Sequence, residues 1–401
     1  MTKRLKATVN PAVLTWARTT AGYDDLIVAA EKVGVEEGKL AAWETGEAQP
    51  SIPQLRRMAD VYKRPLAVLY LPEPPTNKFE TMHDFRRLPE LGVRRFSPEL
   101  TVEIRKAQER RALALELYED ADEEPARFTL ETSLRHAPET VGQVIRDALK
   151  IDYELQAKWR DGRAAFLAWR SRIEELGVLV FQSSRIASDE ASGFAYWADI
   201  LPFMVVNGKD AYSRRCFSLL HELAHLMLRQ SGVSDLDVEG PRPEADQRVE
   251  VFCNQVAAAA LIPRGMILRE EVVHAKGAGR HDWSDDEVEK LANIYSVSRE
   301  AILRRLLTFN RTTEAFYLRK RAQYAVEFQL LKEKEKQERE KNKNSIPRDM
   351  PRETVEGFGK PFVRIVLENY HMDKISLSEV SGYLGVKLRH LSSIEEKLGL
   401  H

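Results

Sequence analysis

Ser218-Leu219-Leu220-His221-Glu222-Leu223-Ala224-His225-Leu226-Met227-Leu228 is the stretch from which the rest of the chain is read. It holds H-E-x-x-H inside an apolar, helix-favouring run. On a helix, His221 and His225 lie on one face, one turn apart. Two imidazoles so placed can hold one zinc ion, and the Glu between them can reach a metal-bound water. Leu219, Leu220, Leu223, Ala224, Leu226 and Leu228 predict a buried helix with fixed ligand rotamers. The plainer alternative is a core helix with two hydrogen-bonded histidines, and the flanking sequence weighs against it.

Upstream, residues 178–181, 193–198 and 202–207 read as three short strands, with Gly208 as a turn into the helix over 212–229. Three strands ahead of such a helix form the minimal layout of a zinc-peptidase core. An edge strand there can hold a peptide by strand addition. Downstream, residues 231–243 read as a loop and 244–261 as a second strong helix, ended by Ile262-Pro263.

A catalytic zinc needs three protein ligands and an open position. No third His follows closely, so the spacing is not that of a metzincin. The acidic candidates are Asp235, Asp237, Glu239, Glu244, Asp246 and Glu250. The first five lie in the loop, beside it, or in the first turn of the helix. Glu250 lies well inside the helix, where a ligand is held rigidly. Asn254 follows one turn later on the same face, suited to accept the outer N–H of a ligand His. Val249, Val251, Phe252 and the alanines at 257–260 would bury the other faces, and the alanines permit close approach to the metal-site helix.

The remainder organises around this core. The 401 residues allow two to four domains, at 43% hydrophobic and 31% charged content and a net charge of -1. Any nucleic-acid contact must therefore come from a local patch. Cys216 and Cys253 are the only cysteines, which fits a reducing cytosol and core packing rather than a disulfide scaffold. No apolar run is long enough for a membrane span, and the N-terminus does not read as a signal peptide. The expected location is cytoplasmic.

Residues 1–75 read as four or five short helices with a Gly34 turn between the second and third, a helix-turn-helix pattern. The run Leu40-Ala41-Ala42-Trp43-Glu44-Thr45-Gly46-Glu47 resembles the third helix of phage-repressor (XRE-type) domains. In such domains that helix enters the major groove. Here it starts with Glu36 and Glu37, and residues 1–75 carry ten Lys/Arg against nine Asp/Glu. A repressor-like fold used for protein contact is the alternative to DNA binding. Residues 76–164 read as a helical connecting region, 165–310 as the metallopeptidase core, 311–346 as a charged helical linker and 347–401 as a small helical C-terminal unit. The expected fold is α+β and mostly helical: a helix-turn-helix domain, a zincin-like core with a three-stranded sheet, and the C-terminal helices.

His221-Glu222-Leu223-Ala224-His225-Leu226, with Glu250-Val251-Phe252-Cys253-Asn254 and Ala259-Ala260-Leu261-Ile262-Pro263, resembles the ImmA/IrrE family of bacterial and phage metallopeptidases. Leu176-Gly177-Val178, Gly193-Phe194, Arg215 with Phe217, and His83-Asp84-Phe85-Arg86 are also similar to members. The likeness is close over about residues 165–265. Cys253 and Ala224 depart from the family's usual Ala and Gly. The resemblance implies zinc on His221, His225 and Glu250, with Glu222 as general base. It implies an endopeptidase that cleaves a helix-turn-helix repressor or antitoxin and so controls gene expression. The alternative is a DNA-binding regulator or toxin–antitoxin component whose peptidase fold acts as a sensor. Tyr196, Tyr212 and Arg215 are the nearby candidates for an oxyanion helper, and the oligomeric state is open.

Overall fold

Short helices punctuated by Gly, Pro and capping side chains make up most of the protein, in a computed structural model that describes residues 6–75, 82–86, 96–159, 161–235, 242–341 and 348–399. The chain forms two compact units, one of residues 1–81 and 88–110, the other of residues 82–87 and 111–401.

The first unit contains α1 (Pro11–Thr19), α2 (Leu26–Val33), α3 (Glu37–Glu44), α4 (Ile52–Tyr62), a 3-10 turn (Leu66–Tyr70) and the start of α5 (Pro98–Asp120). Local chemistry sets these boundaries. Asn10 and Asp25 accept from the first turns of α1 and α2, and Gly34 ends α2 in the left-handed region at φ 74°. Leu14, Leu40, Trp43, Leu55 and Tyr62 are buried together. Arg18 bonds Glu44 at 2.8 Å inside this unit. The helices fall where residue spacing placed them. Glu36 caps α3 without a side-chain hydrogen bond and Glu37 opens it, both exposed.

The second unit is built on one mixed sheet of β1 (His83–Asp84), β2 (Leu179–Ser183), β3 (Gly193–Tyr196), β4 (Phe203–Asn207) and β5 (Gly232–Ser234). Its order is β1-β5-β3-β4-β2, five strands rather than the expected three. The two extra strands are two and three residues long. Neither is long enough to show alternation, and β5 lies inside the stretch read as loop. β2 runs parallel to β4, β3 antiparallel to β4 and β5, and β1 parallel to β5.

Alternation along the strands separates two faces. Val180, Ala195, Met204 and Val206 join the main core. On that side lie α6 (Pro138–Leu149), α7 (Tyr153–Ala157), α8 (Gly162–Glu174), α9 (Tyr212–Met227) and α10 (Glu244–Leu261). The same core receives residues of α11 (Arg264–Ile267), α12 (Glu271–Lys276), α13 (Asp285–Tyr295) and α14 (Arg299–Thr308). In α15 (Glu314–Lys341), Phe316, Tyr317 and Tyr324 pack into it as well. The first half of the stretch read as a charged linker is therefore part of the packed core.

Phe181, Phe194 and Phe203 form an aromatic cluster. Phe362 meets Phe181 edge-on at 6.0 Å. It belongs to α17 (Lys360–His371), which follows α16 (Met350–Phe358) and precedes α18 (Leu377–Leu384) and α19 (Leu391–Leu398). Gln182 and Arg170 both donate to the Glu356 carbonyl of α16, which fastens the C-terminal helices beside β2. Among the described residues no helix is long and apolar enough to cross a membrane.

Candidate metal centre

Helix α9 carries H-E-x-x-H at its most buried point. Leu219, Leu220, Leu223, Ala224 and Leu226 are fully buried around it, so the two imidazoles have fixed directions. His221 and His225 are 0% and 1% exposed, and Glu222 and Glu250 are 0% exposed. Burial of this much ionisable surface is costly unless the groups are matched to one another or to a cation.

The geometry shows the match. His221 Nε2 lies 3.1 Å from His225 Nε2, and His225 Nε2 lies 3.1 Å from Glu250 Oε1. His221 Nε2 and Glu250 Oε2 are 3.5 Å apart. Donor atoms around a tetrahedral zinc sit about 3.3 Å from one another, from metal–ligand distances near 2.0–2.1 Å. The three side chains therefore fit one small cation, and ligand atoms from all three lie within 4.8 Å of one another. Two ring nitrogens facing each other across a carboxylate, in a dry pocket, leave lone pairs that a cation satisfies.

Helix α10 supplies a stripe at four-residue spacing: Asp246, Glu250 and Asn254. Asn254 Oδ1 lies 3.2 Å from His221 Nδ1, and fixes that ring from behind. Asp246 Oδ1 lies 2.9 Å from His83 Nε2, reaching a strand that comes from far upstream. Of the other acidic candidates, Glu244 is exposed and pairs with Arg248, and Asp235 pairs with Arg242 at 2.5 Å. Asp237 and Glu239 lie outside the described residues. Only Glu250, of the candidates described, reaches both imidazoles.

The sheet face above α9 is stripped of bulk. Gly193, Ser234 and Gly232 are register neighbours on the same side of β3 and β5. A Cβ at Gly193 would sit 3.0 Å from Glu222 Oε1 and 2.8 Å from the Val205 carbonyl. Ser234 Oγ lies 3.3 Å from His225 Nε2. At Gly232 a Cβ would fall within the Phe85 ring, at 2.3 Å. Phe85 occupies that gap and packs on His225, with ring centroids 4.9 Å apart. Of these, Gly193-Phe194 and the His83-Asp84-Phe85-Arg86 run stood out in the sequence, whereas Gly232 and Ser234 did not.

Charges follow from burial and neighbours. Burial pushes the Glu222 carboxyl up to about 8, with Glu250 adding to the rise and His221 opposing it. Neither Glu222 oxygen has a hydrogen-bond partner among the described residues. Burial works against the Glu250 charge as well, but His221 and His225 outweigh it and hold that carboxyl well below the usual range. A divalent cation would favour the ionised form of both.

The sequence candidates for an oxyanion helper are engaged elsewhere. Tyr196 stacks on Phe203 at 5.2 Å. Arg215 lies over Tyr212 at 4.4 Å and donates to the Asp210 and Gly208 carbonyls and to Gln182. Cys216 and Cys253 are free and buried, and burial raises the Cys216 thiol to about 12, so both are packing residues.

Residues 173–307 match Peptidase_M78, the IrrE N-terminal-like domain. The M78-like domain contains β2 to β5, α9 and α10, and so His221, His225, Glu250 and Glu222. His83 and Phe85 lie upstream of the M78 match, although they border its buried centre. No curated protein matches the chain.

Proposed function

We propose that the chain is a zinc-dependent endopeptidase that cleaves a specific protein in the cytoplasm, a helix-turn-helix repressor or an antitoxin. The observation that carries this reading is the buried convergence of His221, His225 and Glu250 with an unpartnered Glu222 carboxylate beside it. His221, His225 and Glu250 would hold the ion. Bound zinc supplies Lewis acidity to a water and to the scissile carbonyl.

The chain's own residues do the rest. Glu222 takes a proton from the attacking water and passes it to the leaving amine. Its position suits that task, because the carboxylate lies buried beside the three side chains and neither oxygen has a hydrogen-bond partner among the described residues. Asn254 holds the outer face of His221, so the ligand ring keeps one orientation. Gly193 leaves room for Glu222.

In this reading the N-terminal helices recognise a partner. Exposed Glu36 and Glu37 at the start of α3 weigh against phosphate contact there, which favours protein over DNA.

The test is to mix the purified, zinc-loaded chain with the repressor or antitoxin encoded beside its gene and follow cleavage by mass spectrometry. Cleavage at one bond, lost in Glu222→Gln at unchanged zinc content, supports the reading. Equal cleavage by Glu222→Gln overturns the assignment of the base.

A further inference from the structure

Zinc and Glu222 leave one requirement of the reaction without a residue. Negative charge develops on the scissile carbonyl oxygen as water adds, and a preorganised donor at that oxygen accelerates such a reaction strongly. Tyr196, Tyr212 and Arg215 do not meet it, being held in other contacts.

We propose that His83, oriented by Asp246, donates a hydrogen bond to that carbonyl oxygen. This rests on the peptidase reading above. Three observations carry it. The His83 side chain is 54% exposed, whereas His221 and His225 are buried. Asp246 belongs to the same stripe of α10 as Glu250, one turn before it, so the His83 ring is anchored about 6 Å along the helix axis from a metal ligand. His83 pairs with Gly232 in register and so faces α9, and its ring contacts Phe85, which contacts His225.

Asp246 engages Nε2 and leaves Nδ1, which has no hydrogen-bond partner among the described residues. One ring nitrogen on a carboxylate and the other facing the reaction is the division of labour that orients an imidazole for catalysis. Nε2–H donates to Asp246 Oδ1, and an N–H at Nδ1 donates to the carbonyl oxygen. No bond to His83 forms or breaks. The water oxygen bonds to the carbonyl carbon and the C–N bond breaks. The water's proton travels by Glu222 to the leaving nitrogen, and His83 keeps its own. Asp246 is a positioning residue.

The test uses the full chain loaded with Co2+, whose visible absorption reports its ligands, and inorganic phosphate as a tetrahedral oxyanion. Cobalt binding is read first. A chain that takes up no cobalt overturns the metallopeptidase reading and this inference with it. If cobalt binds, phosphate should produce a saturable spectral change. His83→Gln and Asp246→Asn should each weaken phosphate binding roughly tenfold, the loss of one charge-assisted hydrogen bond. Their cobalt content and far-ultraviolet circular dichroism should stay those of the parent. A residue that only braces the fold would not shift anion affinity at constant metal content. Parent-like phosphate binding by His83→Gln, or no phosphate binding by the parent, overturns the role of His83 and leaves the metal centre standing.

Discussion

Asn254 Oδ1 stands 3.2 Å from His221 Nδ1, one turn beyond the carboxylate that faces the other side of the same ring. The ring is thereby held from both edges by a single helix. Asn254→Ala should loosen the metal by about 10–100-fold while leaving the fold intact. Competition with a chelating dye measures this, and an unchanged metal affinity would show that the ring needs no support from behind.

Glu250→Ala removes the only carboxylate, among the described residues, that reaches both imidazoles. Dialysed protein should then hold little zinc, whereas Glu222→Gln should hold as much as the parent. Zinc analysis of both variants distinguishes ligand from base. Chelation of the parent should lower its melting temperature, because a ligand at a thousand times its Kd stabilises by about 4 kcal/mol. A variant at position 250 that kept full occupancy would move the third ligand elsewhere.

At Gly193 the strand leaves no room for a methyl group. In Gly193→Ala the Cβ would press on the Val205 carbonyl at 2.8 Å and on Glu222 at 3.0 Å. We expect a stability loss of about 1–3 kcal/mol from overpacking, and slower cleavage than parent at equal zinc content. Chemical denaturation and a cleavage assay test the two effects separately. A variant with parental values in both would mean that β3 shifts freely.

Helices α6 and α10 meet backbone to backbone at Gly142. A Cβ there would lie 2.7 Å from the Ala259 Cβ and 2.8 Å from the Ala260 nitrogen. The small residues of α10, expected to serve its approach to α9, press closest on α6 at this glycine. Gly142→Ala should cost about 1–3 kcal/mol, read as a lower denaturation midpoint with an unchanged slope. A gain in stability, as helix propensity alone would give, contradicts the close approach.

One carboxylate of α16 joins it to α8. Glu356 receives Arg163 and Arg352. Burial opposes its charge, but the two guanidinium groups outweigh it and hold the carboxyl below its ordinary value of 4.5. The sign follows: this stabilisation is complete above the unfolded value and disappears as pH falls through the lower folded one. Glu356→Gln should cost about 1 kcal/mol near neutrality and flatten the acid limb of stability. Thermal melts across an acid series check both, and an acid limb as steep as the parent's would remove Glu356 from that account.

The centre was legible because its residues repeat at helical spacing. His221 and His225 lie four apart, as do Glu250 and Asn254, and each pair sits in a long apolar helix that leaves one geometric solution. The sheet was only partly legible. β2, β3 and β4 have enough residues to show a pattern, whereas β1 and β5 do not. β3 stops at Tyr196, short of the expected end, where the Trp197 nitrogen turns to the Ser231 hydroxyl. α15 was hidden by composition: its dense charge masks Phe316, Tyr317 and Tyr324, which face the core. The pairing of His83 with Asp246 was beyond reach for a different reason. Its partners are 163 positions apart, and nothing local announces such a contact.

That separation has a consequence during synthesis. The upstream strand emerges from the ribosome long before the helix that anchors it, so an unfinished chain cannot assemble the full mouth of the centre. Translation fragments that end before residue 246 would lack both Asp246 and Glu250. The proposed cleavage would thus wait until α10 has been made and folded against the upstream strand.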